Sequence, residues 1–209
     1  MKPTSVPGSA DNLLANDEVL VCVCGGIAAY KVCSVVSDLV QRGAGVTVAM
    51  TRSARKFVGR TTFEALTARR VVTGLWTTQA AADSPHIRIT ADADLTIVAP
   101  ATANIIGKVA AGIADEAVST LIICASPPVL FAPGMNDRMW ANPMVQANVR
   151  KLTEHGYHFV GPGEGWLACR SVGVGRMAEP QEILDAADKL LMARCPQPIR
   201  NPQSAIRNS

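Results

Sequence analysis

Five short segments, at residues 19–24, 46–50, 95–99, 129–132 and 157–160, are apolar at nearly every position, and each leads through turn residues into a longer helical pattern. A strand with one wet face alternates apolar and polar side chains, whereas a strand covered on both faces reads as an unbroken apolar run. Such runs alternating with helices predict an α/β fold, a doubly wound, Rossmann-like parallel sheet. Between the first two runs, Val32, Val35, Val36, Leu39 and Val40 recur at helical spacing, and Gly43 stands where a helix C-terminus needs positive φ. Further helices are predicted over residues 61–68, 103–111, 115–125, 143–155 and 180–192. The last two open with Pro143 and Pro180, at a first-turn position where a missing N–H costs nothing.

A chain of 209 residues fits a single domain, expected here over residues 18–193, between a mobile arm at 1–17 and a polar, Pro-rich, disordered tail at 194–209. With 48% hydrophobic and 18% charged residues, it is too apolar for a disordered protein. The net charge of +3 draws on Arg194, Arg200 and Arg207 in the tail and leaves no dense basic stripe for nucleic acid. No apolar run reaches the roughly 18 residues that would suggest a membrane span. Six scattered cysteines with no signal peptide ahead of them read as reduced thiols in a cytoplasm. C-x-x-C, H-E-x-x-H and G-x-S-x-G are all missing, so no metal is expected and a hydrolase is disfavoured. Cys22 and Cys24 simply share one face of a buried strand.

The chemistry gathers in loops at strand ends. The first strand closes in Gly25-Gly26-Ile27 directly before a helix, where backbone N–H groups and the helix dipole favour a phosphate. Two glycines after a strand also serve as an ordinary tight turn. The G-x-G-x-x-G fingerprint is missing, and the second strand ends in Thr51-Arg52-Ser53, with no acidic residue to hold a ribose diol. That pattern favours a mononucleotide over a dinucleotide. After the third strand, Pro100-Ala101-Thr102-Ala103-Asn104 offers small and hydroxyl side chains that let a flat ring approach; a Pro turn with Thr102 or Asn104 as helix cap is the alternative. A third such loop, Pro133-Gly134-Met135-Asn136, continues as Asp137-Arg138-Met139-Trp140.

GGIAAYK, APATANIIGK and APGMNDRMW, in that order, resemble the flavin-dependent cysteine decarboxylase family, and the resemblance runs over about residues 18–191. It implies FMN as cofactor, with Gly25, Gly26, Ile27, Thr51 and Ser53 at its phosphate and Ala101, Thr102, Ala103 and Asn104 along the flavin. It places Met135, Asn136 and Met139 at the substrate, with Asn136 on the carboxylate. His86 falls where the family keeps its active-site histidine, whereas His155 and His158 are read as structural.

Residues 167–177 resemble the substrate-recognition flap of the branch acting on phosphopantothenoylcysteine, which assigns Ala168, Cys169, Arg176 and Met177 to substrate and Cys169 to proton delivery. Arg170 and Ser171 stand where that flap has Gly-Asp, and Gly134 stands where the family has alanine. Glycines let such a loop close over a ligand, and a mobile thiol can deliver a proton inside a water-excluded site. An unpaired cysteine is otherwise usually buried and inert.

The implied reaction is oxidation of a cysteine thiol to a thioaldehyde, loss of CO2, and reduction of the resulting enethiol, so that the flavin ends as it began. A peptidyl-cysteine decarboxylase, a flavin prenyltransferase and a non-catalytic FMN-binding regulatory subunit are the alternatives. The resemblance further implies a homotrimer or homododecamer with the cofactor between subunits. With the chain ending soon after its last helix, a monofunctional enzyme is expected.

Overall fold

The computed structural model describes residues 14–75, 85–126 and 128–193. Residues 1–13 of the expected arm and the expected tail at 194–209 lie outside them. Leu14, placed in the arm by the sequence reading, is buried in the core, and its N–H donates to the Arg42 carbonyl.

Five parallel strands, β1 (Glu18–Val23), β2 (Gly45–Met50), β3 (Leu95–Ala101), β4 (Val129–Pro133) and β5 (His158–Phe159), form one sheet in the order β2-β1-β3-β4-β5. Two-sided burial explains the apolar runs of β1, β3 and β4, whereas β5, at the sheet edge, is only two residues long with His158 exposed and Phe159 half-buried. Along β1, Val19, Val21 and Val23 enter one core, while Leu20 and Cys22 enter the other. The first core is closed by α1 (Ala29–Gln41), α2 (Arg60–Thr67) and α8 (Pro180–Ala193). The second is closed by α4 (Ala103–Ala110), α5 (Ala117–Cys124) and α7 (Pro143–Glu154), with α3 (Pro85–Asp92) at its margin through Ile89. Phe131 of β4 anchors the second core, stacked on Phe159 at 5.2 Å and edge-on to Tyr157 at 5.8 Å. Removing a ring buried in this way costs on the order of 3–5 kcal/mol.

Helix ends follow their sequence signals. Gly43 has φ 92°, and beside it the Ala44 N–H returns to the Leu39 carbonyl, closing α1. Glu116 caps α5 in a reciprocal box with Ser119, which starts that helix two residues later than expected. Three features departed from the sequence reading. The segment holding His86 is a helix, α3, and residues 137–140 form a four-residue helix, α6 (Asp137–Trp140), capped by Asn136. The flap is an antiparallel hairpin of β6 (Gly163–Trp166) and β7 (Val172–Arg176), not a simple loop.

The strand order fixes where a ligand can sit. From β1 the chain passes to β2 on one side and then returns to β3 on the other, so the loops after β1 and β3 diverge onto opposite faces. Open α/β sheets bind ligands in the crevice at that switch point, outside the carboxyl ends of the strands.

Candidate active site

A cleft of about 770 Å³ opens at this switch point, a volume in the range of small-molecule and cofactor sites. Its floor is built from the loop after β1. Gly25 packs so tightly on Ser53 that a Cβ there would overlap the serine side chain, and one on Gly26 would come within 3.3 Å of the Pro100 ring. The glycines thus draw the first, second and third strand-end loops together. Helix α1 has Ala28 at its N-cap, with no side-chain cap and no acidic residue in its first turn, and Lys31 lies about one turn on from Ile27 and also lines the cleft. Thr51 accepts from the Ala54 N–H at 3.1 Å, which leaves its hydroxyl hydrogen free. The Ser53 hydroxyl has no partner among the described residues. The uncapped helix start, two hydroxyls and an ammonium are gathered here in an arrangement that could hold a phosphate.

The wall above comes from β3 and α4. Thr102 caps α4 by accepting from the Ile105 N–H at 3.4 Å, and Ala103 and Asn104 face the cleft beside it. Ala101 is fully buried in β3 and does not line the cleft, so of the four residues expected along a flavin it is the one that supports from behind. Cys24 lies under the floor, and burial pushes its thiol well above the ordinary range, as it pushes Cys22 to about 12. Both thiols stay protonated and inert.

The opposite wall is the Met135-Asn136 loop with the flap docked on it. The Met135 N–H donates to the Gly175 carbonyl at 2.9 Å, so backbone holds the hairpin against the loop. Asn136 is oriented by α6: its Oδ1 accepts from the Arg138 N–H at 2.9 Å, which turns Nδ2 toward the flap. That Nδ2 donates to Cys169 Sγ at 3.1 Å, and Ser171 Oγ lies 3.1 Å from the same sulfur. The Ser171 hydrogen bond, followed by that from Asn136, holds the Cys169 thiol below the ordinary cysteine range, and its sulfur is exposed to the cleft. Met139, Ala168, Arg176 and Met177 line the cleft around this pair.

The carboxylate of Glu179 clasps the rim. It accepts from Lys31 Nζ through both oxygens at 3.0 Å and pairs with Arg176 at 3.2 Å, tying α1 to the end of the flap. The Lys31 hydrogen bond holds the Glu179 carboxyl below the usual carboxylate range.

His86 is not brought to this cleft. It is half-buried in the first turn of α3, on the second-core side of the sheet, where its carbonyl accepts from the Thr90 hydroxyl. His155 caps α7 through Nδ1 and the Lys151 carbonyl at 2.8 Å, and His158 lies exposed on the edge strand, both outside the cleft. Lys31, Tyr30, Glu116 and Trp166 line the cleft without having been singled out. Lys31 was within reach of the sequence, since it ends the GGIAAYK motif one turn from Ile27. Trp166 carried no such signal, because its position depends on the hairpin.

A parallel sheet in the order 2-1-3-4-5 with a cleft at its switch point defines an α/β protein of the flavodoxin-like kind. A family model described as Flavoprotein matches residues 8–192, and the chain belongs to that family, which includes flavin-dependent cysteine decarboxylases. The chain is 45% identical over 194 residues to the coenzyme A biosynthesis bifunctional protein CoaBC of Bacillus subtilis, covering 93% of this chain and 48% of that protein. It is 42% identical over 177 residues to CoaBC of Mycolicibacterium smegmatis, covering 85% and 42%. The chain thus spans about half the length of the curated relatives it matches. Among solved structures it resembles a cysteine-to-serine mutant of PPC decarboxylase complexed with pantothenoylaminoethenethiol, at TM-score 0.77 and 26% identity, covering 85% of this chain and 100% of that one. It also resembles the FMN-dependent cysteine decarboxylase SpaF, at TM-score 0.73 and 32% identity, covering 85% and 97%. No helix among the described residues is long and apolar enough to cross a membrane.

Proposed function

We propose that the chain is an FMN-dependent phosphopantothenoylcysteine decarboxylase, converting its substrate to 4'-phosphopantetheine with loss of CO2. The observation that carries this reading is the 3.1 Å contact between Asn136 Nδ2 and Cys169 Sγ, which joins two motifs 33 residues apart over one cleft. The first would hold a carboxylate and the second would give a proton. The cradle of Gly25, Gly26, Ile27, Thr51, Ser53 and Lys31 fits the FMN phosphate, and Thr102, Ala103 and Asn104 would lie along the ring. When bound, FMN would take up two electrons, making loss of an otherwise unactivated carboxylate feasible, and would give them back to reduce the enethiol.

The chain's own residues then position and protonate. Asn136, its amide fixed by the Arg138 N–H, donates from Nδ2 to the substrate carboxylate and aligns it for departure. The docked flap would gather Met135, Met139 and Met177 around the substrate. Cys169 then delivers the proton that completes the saturated product. Support for that order comes from the PPC decarboxylase relative, whose cysteine-to-serine mutant is complexed with an ethenethiol, the species expected where protonation is missing.

His86 belongs to this reading only if a second copy brings it. The homotrimer implied by the family resemblance, with a cofactor site shared between subunits, would do so, and the exposed Ile27, Tyr30 and Met139 at the cleft mouth would be covered in the same assembly.

The test is mass spectrometry of the product after FMN-loaded protein meets phosphopantothenoylcysteine. Loss of CO2 alone is the expected result, and Cys169→Ser should halt at the enethiol. An enethiol from the unaltered chain would move it to the peptide-modifying enzymes, and no reaction despite bound FMN would overturn the proposal.

A further inference from the structure

Position 171 is where the chain departs from the flap it resembles, and the structure gives that departure a geometry. The turn at residues 167–171 is closed by the Arg170 N–H donating to the Leu167 carbonyl at 2.9 Å and the Leu167 N–H to the Ser171 carbonyl at 2.8 Å. Arg170, at φ 65°, folds the chain back so that Ser171 returns over Cys169. The two side chains meet at 3.1 Å, and the Ser171 hydroxyl has no other partner among the described residues.

We propose that Ser171 is a positioning residue for Cys169, holding the sulfur against Asn136 and serving it both before and after the proton has left. This rests on the reading of Cys169 as proton donor. In that step the S–H bond breaks, the proton passes to the substrate, and the bonding pair stays on sulfur as a thiolate, which the exposed site allows water to reprotonate. A serine hydroxyl is both donor and acceptor. It accepts from S–H before transfer and rotates to donate to S⁻ afterwards, alongside Asn136 Nδ2. The carboxylate expected at this position from the family resemblance accepts only, so it could hold the thiol but would repel the thiolate.

The direction of the thiol's acidity agrees. Its lowering comes first from Ser171 and then from Asn136, both neutral donors, with burial acting in the opposite sense and no charged group contributing. The charged side chains on the surrounding elements are Arg170 in the turn, Asp137 and Arg138 on α6, and Glu164 and Arg176 on the hairpin.

The test is the pH profile of Cys169 alkylation by iodoacetamide in the FMN-loaded full chain, followed by peptide mapping so that exposed Cys124 is counted apart. Ser171→Ala should move the profile to higher pH and slow alkylation at least threefold on its rising limb. Ser171→Thr should keep the original profile, and Ser171→Asp should move it further up than alanine does. An unchanged profile in S171A, a threonine variant shifted as far as alanine, or an aspartate variant matching the unaltered chain would each overturn the proposal. No substrate enters this measurement, so a chain that fails to decarboxylate phosphopantothenoylcysteine can still pass it. Where turnover is seen, S171A should also release a larger share of enethiol than the unaltered chain.

Discussion

Asn136 does two jobs with one amide, and the division is settled by the backbone. Its oxygen is engaged by the Arg138 N–H, so only the nitrogen faces the cleft, and it faces as a donor. Asn136→Asp keeps the cap on α6 but puts an acceptor where the proposed reaction has the substrate carboxylate bind. Turnover should fall about a hundredfold or more, the scale of losing one preorganised donor, while FMN absorbance is retained. Steady-state kinetics with the flavin content measured in parallel would check both halves. Asn136 and Cys169 were legible in the sequence because motif order places them. The Glu179 clasp on Lys31 was not, because it joins residues 148 apart and no local pattern signals a contact that only tertiary folding creates. Ser171 was noticed as a departure, but its contact with sulfur needed the left-handed Arg170 to be seen.

At the scale of elements, the flap shows why some of the fold was hidden. The β6 and β7 segments, GEGW and VGVGR, are poor strand formers by composition, since glycine weakens a strand and gives nothing to pack. They pair because the hairpin docks on the Met135–Asn136 loop, and the glycines are what permit the approach. A Cβ on Gly173 would come within 2.8 Å of Asp137 Cβ, and one on Gly175 would collide with the Met135 carbonyl oxygen, a backbone atom that cannot rotate away. Gly175→Ala should therefore push the hairpin off the loop. We expect a local cost of about 1–3 kcal/mol, seen as faster amide exchange at Met135 and a weakened Asn136–Cys169 contact, with the five-stranded sheet unaffected. Unchanged exchange in that variant would mean the flap is not held by this contact. The buried strands were legible for the opposite reason: two-sided burial imprints itself on every residue of β3 and β4 and on all of β1 after Glu18. Helix α6 was missed because four residues are too few to show a period, and α3 because its sequence, PHIRITAD, carries only two large apolar side chains and no apolar stripe.

At the scale of the whole molecule, the sheet order places the cleft between β1 and β3, and this could be anticipated only in outline from a run of strands and helices. His86 exposes the limit of a single chain. Its motif position marked it for the active site, yet its helix lies outside the cleft, which no rearrangement of one residue would mend. The shared-site assembly proposed above accounts for both facts, and it makes a prediction that intrachain catalysis does not. Chains carrying His86→Ala and chains carrying Cys169→Ala should each fail to form 4'-phosphopantetheine alone. Co-expressed with different tags and purified as hybrids, they should regain activity, because some sites would then take an intact His86 from one copy and an intact Cys169 from another. The regained fraction should follow the mixing ratio. Hybrids confirmed by both tags but still inactive would place His86 and Cys169 in the service of the same chain, or remove His86 from the reaction, and the role of the second copy would have to be sought elsewhere.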